Sequence, residues 1–210
     1  MAHDIRIDRA AIAHRGKQLE YFTIVWNSLE AVIAITAGAV AGSISLVGFG
    51  IDSLIEVTSG ATLLWRMATD ANGRGRDTME RRSLQIVGGC FFALAAYVSY
   101  EAVSTLLRRE VPQHSVPGIL LAAVSLIVMP LLARAKRGVS SSLGSAAMNA
   151  DAMQTQFCTY LSGILLAGLL LNALAGWWWA DPVAALVMVP FMLREGLEGI
   201  QGKTCCAQCH

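Results

Sequence analysis

The sequence predicts an all-α, polytopic membrane protein of six transmembrane helices, and three observations predict it. Of its 210 residues, 55% are hydrophobic and only 15% charged, well below the roughly 25% charged usual for soluble domains. The apolar residues gather in six stretches of about 20, the length that crosses a hydrocarbon core. Those stretches fill residues 20–200, leaving a polar N-terminal segment at 1–19 and a Cys/His-rich tail at 201–210, and a second globular domain is not expected. A net charge of +1 lacks the basic footprint of a nucleic-acid binder. The lipid bilayer is the expected environment.

The spans are expected at roughly 20–42, 43–66, 84–107, 115–133, 145–174 and 180–200. The first two abut at Gly42 and Ser43, which permits only a tight turn and makes them an antiparallel hairpin. Between the second and third, ATDANGRGRDTMERR forms a polar, Gly-containing loop. Between the third and fourth, RREVPQHSVP ends and restarts helix with its prolines. Arg134, Lys136 and Arg137 are expected in the loop after the fourth span. The fifth and sixth spans are joined by GWWWADP, whose tryptophans mark a headgroup-level interface.

All but Arg108 and Arg109 of the sixteen Lys and Arg residues fall on one side of this topology. Both termini are therefore expected in the cytoplasm, in a multi-pass protein of the cell's inner membrane. The N-terminal stretch has no uninterrupted apolar run, so no cleavable signal peptide is expected. Five cysteines, three of them in the last six residues, do not form a disulfide framework. In a cytoplasmic tail they are expected as reduced thiols.

Chemistry concentrates in Ser45–Gly60, SLVGFGIDSLIEVTSG, where Asp52 and Glu56 interrupt an apolar helix. Four residues apart, they stand on one face, one turn above the other, and both reach toward one ion. Each charge at mid-bilayer costs roughly 2.5–3.5 kcal/mol on insertion scales, so something must compensate. The fifth span answers with Gln154 and Cys158, again four apart and at similar depth, in NADAMQTQFCTY. Asp52, Glu56, Gln154 and Cys158 thus form a candidate four-ligand cation site between two helices. Glu30, beside Asn27 on the first span, is an accessory metal ligand, a proton carrier or a partner for Asn27. Asp151, one turn toward the cytoplasm from Gln154, suits a supporting role or a step on the ion's way in. In the tail, Cys205, Cys206, Cys209 and His210 form a candidate cluster for capturing soft metal. Cys206 to His210 also spells C-x-x-C-H, but haem attachment belongs to the other side of the membrane.

At these residues the chain resembles the cation diffusion facilitator family of divalent-metal transporters. Asp52-Ser53-Leu54-Ile55-Glu56 is similar to that family's acidic motif on helix two, with Glu for the second Asp. Ala150-Asp151-Ala152-Met153-Gln154 is similar to the lead-in to its helix five, with Gln154 in place of a His and Cys158 in place of an Asp. Asp181-Pro182, opening helix six, is similar as well. The resemblance covers residues 20–200 and implies a homodimer that exports a divalent cation by metal/proton antiport, in a short member lacking the usual cytoplasmic C-terminal domain. Gln cannot titrate, so Glu56, Asp52, Cys158 and Glu30 are the candidates for carrying protons. The Cys158 thiolate favours Zn²⁺ or Cd²⁺ over Mg²⁺.

No cofactor is expected beyond the transported ion. An enzyme is not expected either, because none of the four histidines lies in a span to act as a base for Cys158. The alternative function is a membrane metal sensor or accessory protein that binds without transporting.

Overall fold

The computed structural model describes residues 2–68 and 76–201, with side chains described for 11–65, 85–145 and 148–201. Six α-helices account for nearly all of this: α1 (Ala2–Ala41), α2 (Ile44–Ala68), α3 (Arg76–Arg108), α4 (Val116–Leu143), α5 (Ala146–Ala175) and α6 (Ala180–Gln201). Five of them, α1 to α5, contain stretches long and apolar enough to cross a membrane. α6 falls outside that group because Arg194, Glu195 and Glu198 crowd its last two turns.

The turns follow the residues that build them. Gly42 takes a left-handed φ of 66°, which a residue without Cβ adopts freely. The Ser43 Oγ then accepts from the Leu46 amide at 3.2 Å and caps α2. The α1–α2 hairpin is therefore as tight as the sequence requires. The prolines act as expected between α3 and α4, where Pro117 opens the new helix behind the Ser115 cap. Asn172 on α5 holds this loop by donating to the Pro112 carbonyl at 3.1 Å. Gly144 and Gly176, both left-handed, end α4 and α5. Trp177 and Trp179 stack with centroids 5.1 Å apart between α5 and α6.

Helices α1 and α2, α3 and α6, and α4 and α5 pack as pairs, and α2 also meets α3, α5 and α6. This places α2 at the centre of the bundle. Phe49, Val98, Leu165 and Met188, from α2, α3, α5 and α6, share one buried apolar core. Val25, Leu29, Val32, Leu120, Ile127 and Leu131 are exposed on α1 and α4, an apolar exterior suited to lipid.

Three expected boundaries change. α4 runs to Leu143 rather than ending near 133, so Arg134, Lys136 and Arg137 lie on helix, not in a loop. The buried Lys136 has carboxylate partners that allow the helix to continue through it. α3 starts at Arg76, which leaves 69–75 of the expected loop outside the described residues and puts its second half on helix. α1 starts at Ala2, so most of the polar N-terminal segment is a helical extension of the first span.

Candidate metal centre

The face of α2 that bears Asp52 and Glu56 turns toward α5. Cys158 Sγ lies 2.7 Å from Glu56 Oε2 and 3.3 Å from Asp52 Oδ2. Asp52 and Glu56 are 3% and 0% exposed, and Cys158 is 3% exposed. One thiol proton thus faces two carboxylates in a pocket closed to solvent. Around it, Met129 and Leu132 of α4 pack with Cys158, with Leu19 and Trp26 of α1 alongside.

Thr155, one residue past Gln154, donates to Glu56 Oε1 at 2.8 Å and orients that carboxylate. Its hydroxyl is also 3.2 Å from the Asp151 carbonyl oxygen one turn back. Gln154 itself makes no hydrogen bond to either acid, and its amide nitrogen is buried without a partner among the described residues. The structure therefore brings Asp52, Glu56 and Cys158 together and leaves Gln154 beside them with a donor to spare. Among the described residues, no three His, Cys, Asp or Glu side chains are arranged to hold a metal ion as they stand. The thiol and carboxylates are hydrogen-bonded to each other instead.

Glu30 extends the polar interior toward α4. Its Oε2 accepts from Ser53 Oγ at 2.9 Å, and its Oε1 accepts from Ser125 Oγ. Ser53 adjoins Asp52, so Glu30 is linked to the α2 acids through one residue. Pairing with Asn27 is not what the structure shows: both amide atoms of Asn27 are buried without partners among the described residues. Two serines that any helix tolerates have taken the place of that amide.

Asp151 is engaged toward the other end, ion-paired with Lys136 Nζ, which also donates to Glu20 Oε2 at 3.3 Å. Neither Lys136 nor Glu20 stood out in the sequence. Lys136 sits in a basic cluster that looks like loop, and Glu20 sits at the edge of the first span. Glu195 on α6 was missed as well; its Oε1 is buried without a partner among the described residues. The tail candidates Cys205, Cys206, Cys209 and His210 lie outside the described residues.

Asp181, the third point of resemblance, is not at this centre. It accepts from Ser43 Oγ at 2.6 Å, from the Ile44 amide at 2.9 Å and from Ser45 Oγ, tying the start of α6 to the α1–α2 turn. Its work is to lock two helix ends together.

Residues 21–200 match the family of cation efflux transmembrane domains. The chain belongs to that family. Every residue of the Asp52, Glu56 and Cys158 cluster lies within the matched region, as do Glu30 and Asp151. Two curated proteins to which the chain is similar are uncharacterized transporters. One, from Methanocaldococcus jannaschii, is 27% identical over 84% of this chain and 64% of its own length. The other, from a Synechocystis species, is 26% identical over 71% of this chain and 50% of its own length. The matched part of this chain thus spans between half and two thirds of these relatives. Family and fold together make it a multi-pass membrane protein.

Proposed function

We propose that the protein exports a divalent transition or heavy-metal cation, Zn²⁺ or Cd²⁺, through a centre made by Asp52, Glu56 and Cys158. The observation that carries this reading is the placement of the Cys158 sulfur within hydrogen-bonding distance of both carboxylates, across the α2–α5 contact. Membership in the cation efflux family supports the direction of transport.

In the proposed cycle the cluster begins closed on its own protons. An ion arriving from the cytoplasm replaces the Cys158 thiol proton, which leaves to the cytoplasm, since thiolate and carboxylate bind metal only when deprotonated. Asp52, Glu56 and Cys158 then turn from one another toward the ion. The free amide of Gln154 swings its oxygen to the fourth position of a tetrahedral site. Glu56 stays oriented by Thr155, while Glu30, held by Ser53 and Ser125, receives or supplies a proton. When the bundle opens outward, protons from outside displace the ion and re-form the hydrogen-bonded cluster. The result is metal/proton antiport by alternating access.

We place the protein in the inner membrane with both termini in the cytoplasm. The homodimer is carried over from the family resemblance, and the Cys/His tail is assigned to collecting soft metal before delivery. In this reading the protein is a transporter, not an enzyme.

The test is metal uptake and coupled proton movement in proteoliposomes. The wild-type chain is expected to take up Cd²⁺ or Zn²⁺ against a counterflow of protons, and Asp52→Ala to abolish both. Proton flux unchanged in Asp52→Ala would remove the mechanism. Metal binding without uptake by wild type would instead favour the sensor.

A further inference from the structure

One charged group in the bundle has no part in that cycle. Lys136, on α4, is 0% exposed, and its ammonium meets two carboxylates from two other helices, Glu20 of α1 and Asp151 of α5. A single acid neutralises a lysine; here there are two. Each acid also has an oxygen that no donor meets: Glu20 Oε1 and Asp151 Oδ1 are buried without a hydroxyl, amide or ammonium partner among the described residues. Two carboxylates with spare oxygens are matched in charge and in donors by a divalent cation rather than by one ammonium.

The position is equally specific. Glu20 lies against Gly60, where an added Cβ would approach its Oε2 at 3.4 Å. Gly60 is one turn beyond Glu56 on the face of α2 that carries Asp52 and Glu56. Asp151 is one turn before Thr155, which holds Glu56. The two acids therefore stand one helical turn from the proposed metal centre, on the side where α4 ends and α5 begins.

We propose that Glu20 and Asp151 form a second cation station, made only of oxygen donors, and that Lys136 is a tethered cation keeping metal out of it. The consequence is selectivity. An all-oxygen station suits hard ions such as Mn²⁺ or Mg²⁺, whereas the centre containing Cys158 suits softer ones. With Lys136 in place, only the thiolate-containing centre is open. This inference rests on the proposed metal chemistry for the idea that divalent ions reach this depth, but the station has its own readout.

Purified protein in detergent is titrated with Mn²⁺, and bound ion is counted from the loss of the free-Mn²⁺ paramagnetic resonance signal. Lys136→Gln is expected to bind one Mn²⁺ per chain more than wild type, and Lys136→Arg no more than wild type. Adding Asp151→Asn to Lys136→Gln is expected to remove the gain. A folded Lys136→Gln protein with wild-type Mn²⁺ binding overturns the inference. Should Lys136→Gln be recovered only unfolded, Mn²⁺ in the purification buffer is expected to restore a monodisperse species, and no rescue by Mn²⁺ counts against the station. Absence of Cd²⁺ binding by wild type strikes the proposed function, while the Mn²⁺ difference between wild type and Lys136→Gln still decides this one.

Discussion

Replacing Cys158 by Asp exchanges a soft sulfur for a hard oxygen at the point where both α2 acids converge. In the proposed role, Cys158→Asp is expected to shift preference from Cd²⁺ toward Zn²⁺ and Mn²⁺, and Cys158→Ala to lose metal resistance in cells. Growth across a series of metals checks both, and an unchanged preference in Cys158→Asp contradicts a thiolate ligand. Thr155 acts through Glu56 rather than on the ion. Thr155→Val, which keeps the shape and deletes the hydroxyl, is expected to cost roughly 10–100-fold in metal affinity, with Thr155→Ser restoring most of it. Equal weakening by both variants would point to packing instead. Asp52, Glu56 and Cys158 were legible because acids and a thiol at four-residue spacing stand out against hydrocarbon. Thr155 was not, because a threonine that returns its hydroxyl to its own helix is ordinary, and only the fold shows that this one also reaches Glu56. Lys136 is hidden by its neighbours: flanked by Arg134 and Arg137, it reads as loop, and only the fold places Glu20 and Asp151 around it.

Between helices, two devices fix the geometry that the site depends on. The first is Asp181, which accepts from Ser43, Ile44 and Ser45 and so sets the start of α2 against the start of α6. Asp181→Ala leaves the Ser43 and Ser45 hydroxyls and the Ile44 amide without this acceptor. Hydrogen bonds to charged groups contribute about 1.5–3 kcal/mol each, so a lowered melting temperature in detergent is expected. A melting temperature equal to wild type would mean that water replaces the carboxylate. The second is the α3–α6 crossing. A Cβ on Gly88 would lie 2.7 Å from the Gly196 carbonyl oxygen and 2.8 Å from the Ile200 amide nitrogen, both backbone atoms that cannot step aside. Gly88→Ala is therefore expected to push α6 away and destabilise by about 1–3 kcal/mol, measured by the same melt. Gly89 next to it faces open space, so Gly89→Ala serves as the control expected to have little effect. Span existence was legible from hydropathy, but helix ends were not. α4 continues past the apolar window because its polar end is satisfied by partners on α1 and α5, information that no local stretch of sequence contains.

For the molecule as a whole, the polar residues are graded along the bundle. Asp181 locks one end at the α1–α2 turn, the Asp52, Glu56 and Cys158 cluster lies deeper, and Lys136 with its two acids lies nearer the α4–α5 turn. Transport direction in the proposed cycle depends on which end faces the cytoplasm. In the proposed orientation, which follows the Lys and Arg distribution, the α4–α5 end faces the inside, and the Glu20 and Asp151 pair would be the first polar feature that a cytoplasmic ion meets. The orientation is testable with single cysteines in a chain carrying Cys90→Ser, Cys205→Ser, Cys206→Ser and Cys209→Ser, which retains only the buried Cys158. His114, exposed between α3 and α4, and Ser142, exposed near the end of α4, lie toward opposite ends of α4. His114→Cys is expected to react with a membrane-impermeant maleimide on intact cells. Ser142→Cys is expected to react only after permeabilisation. The reverse pattern would turn the proposed exporter around: Lys136 and its acids would then guard the outer mouth, and the same polar gradient would serve uptake.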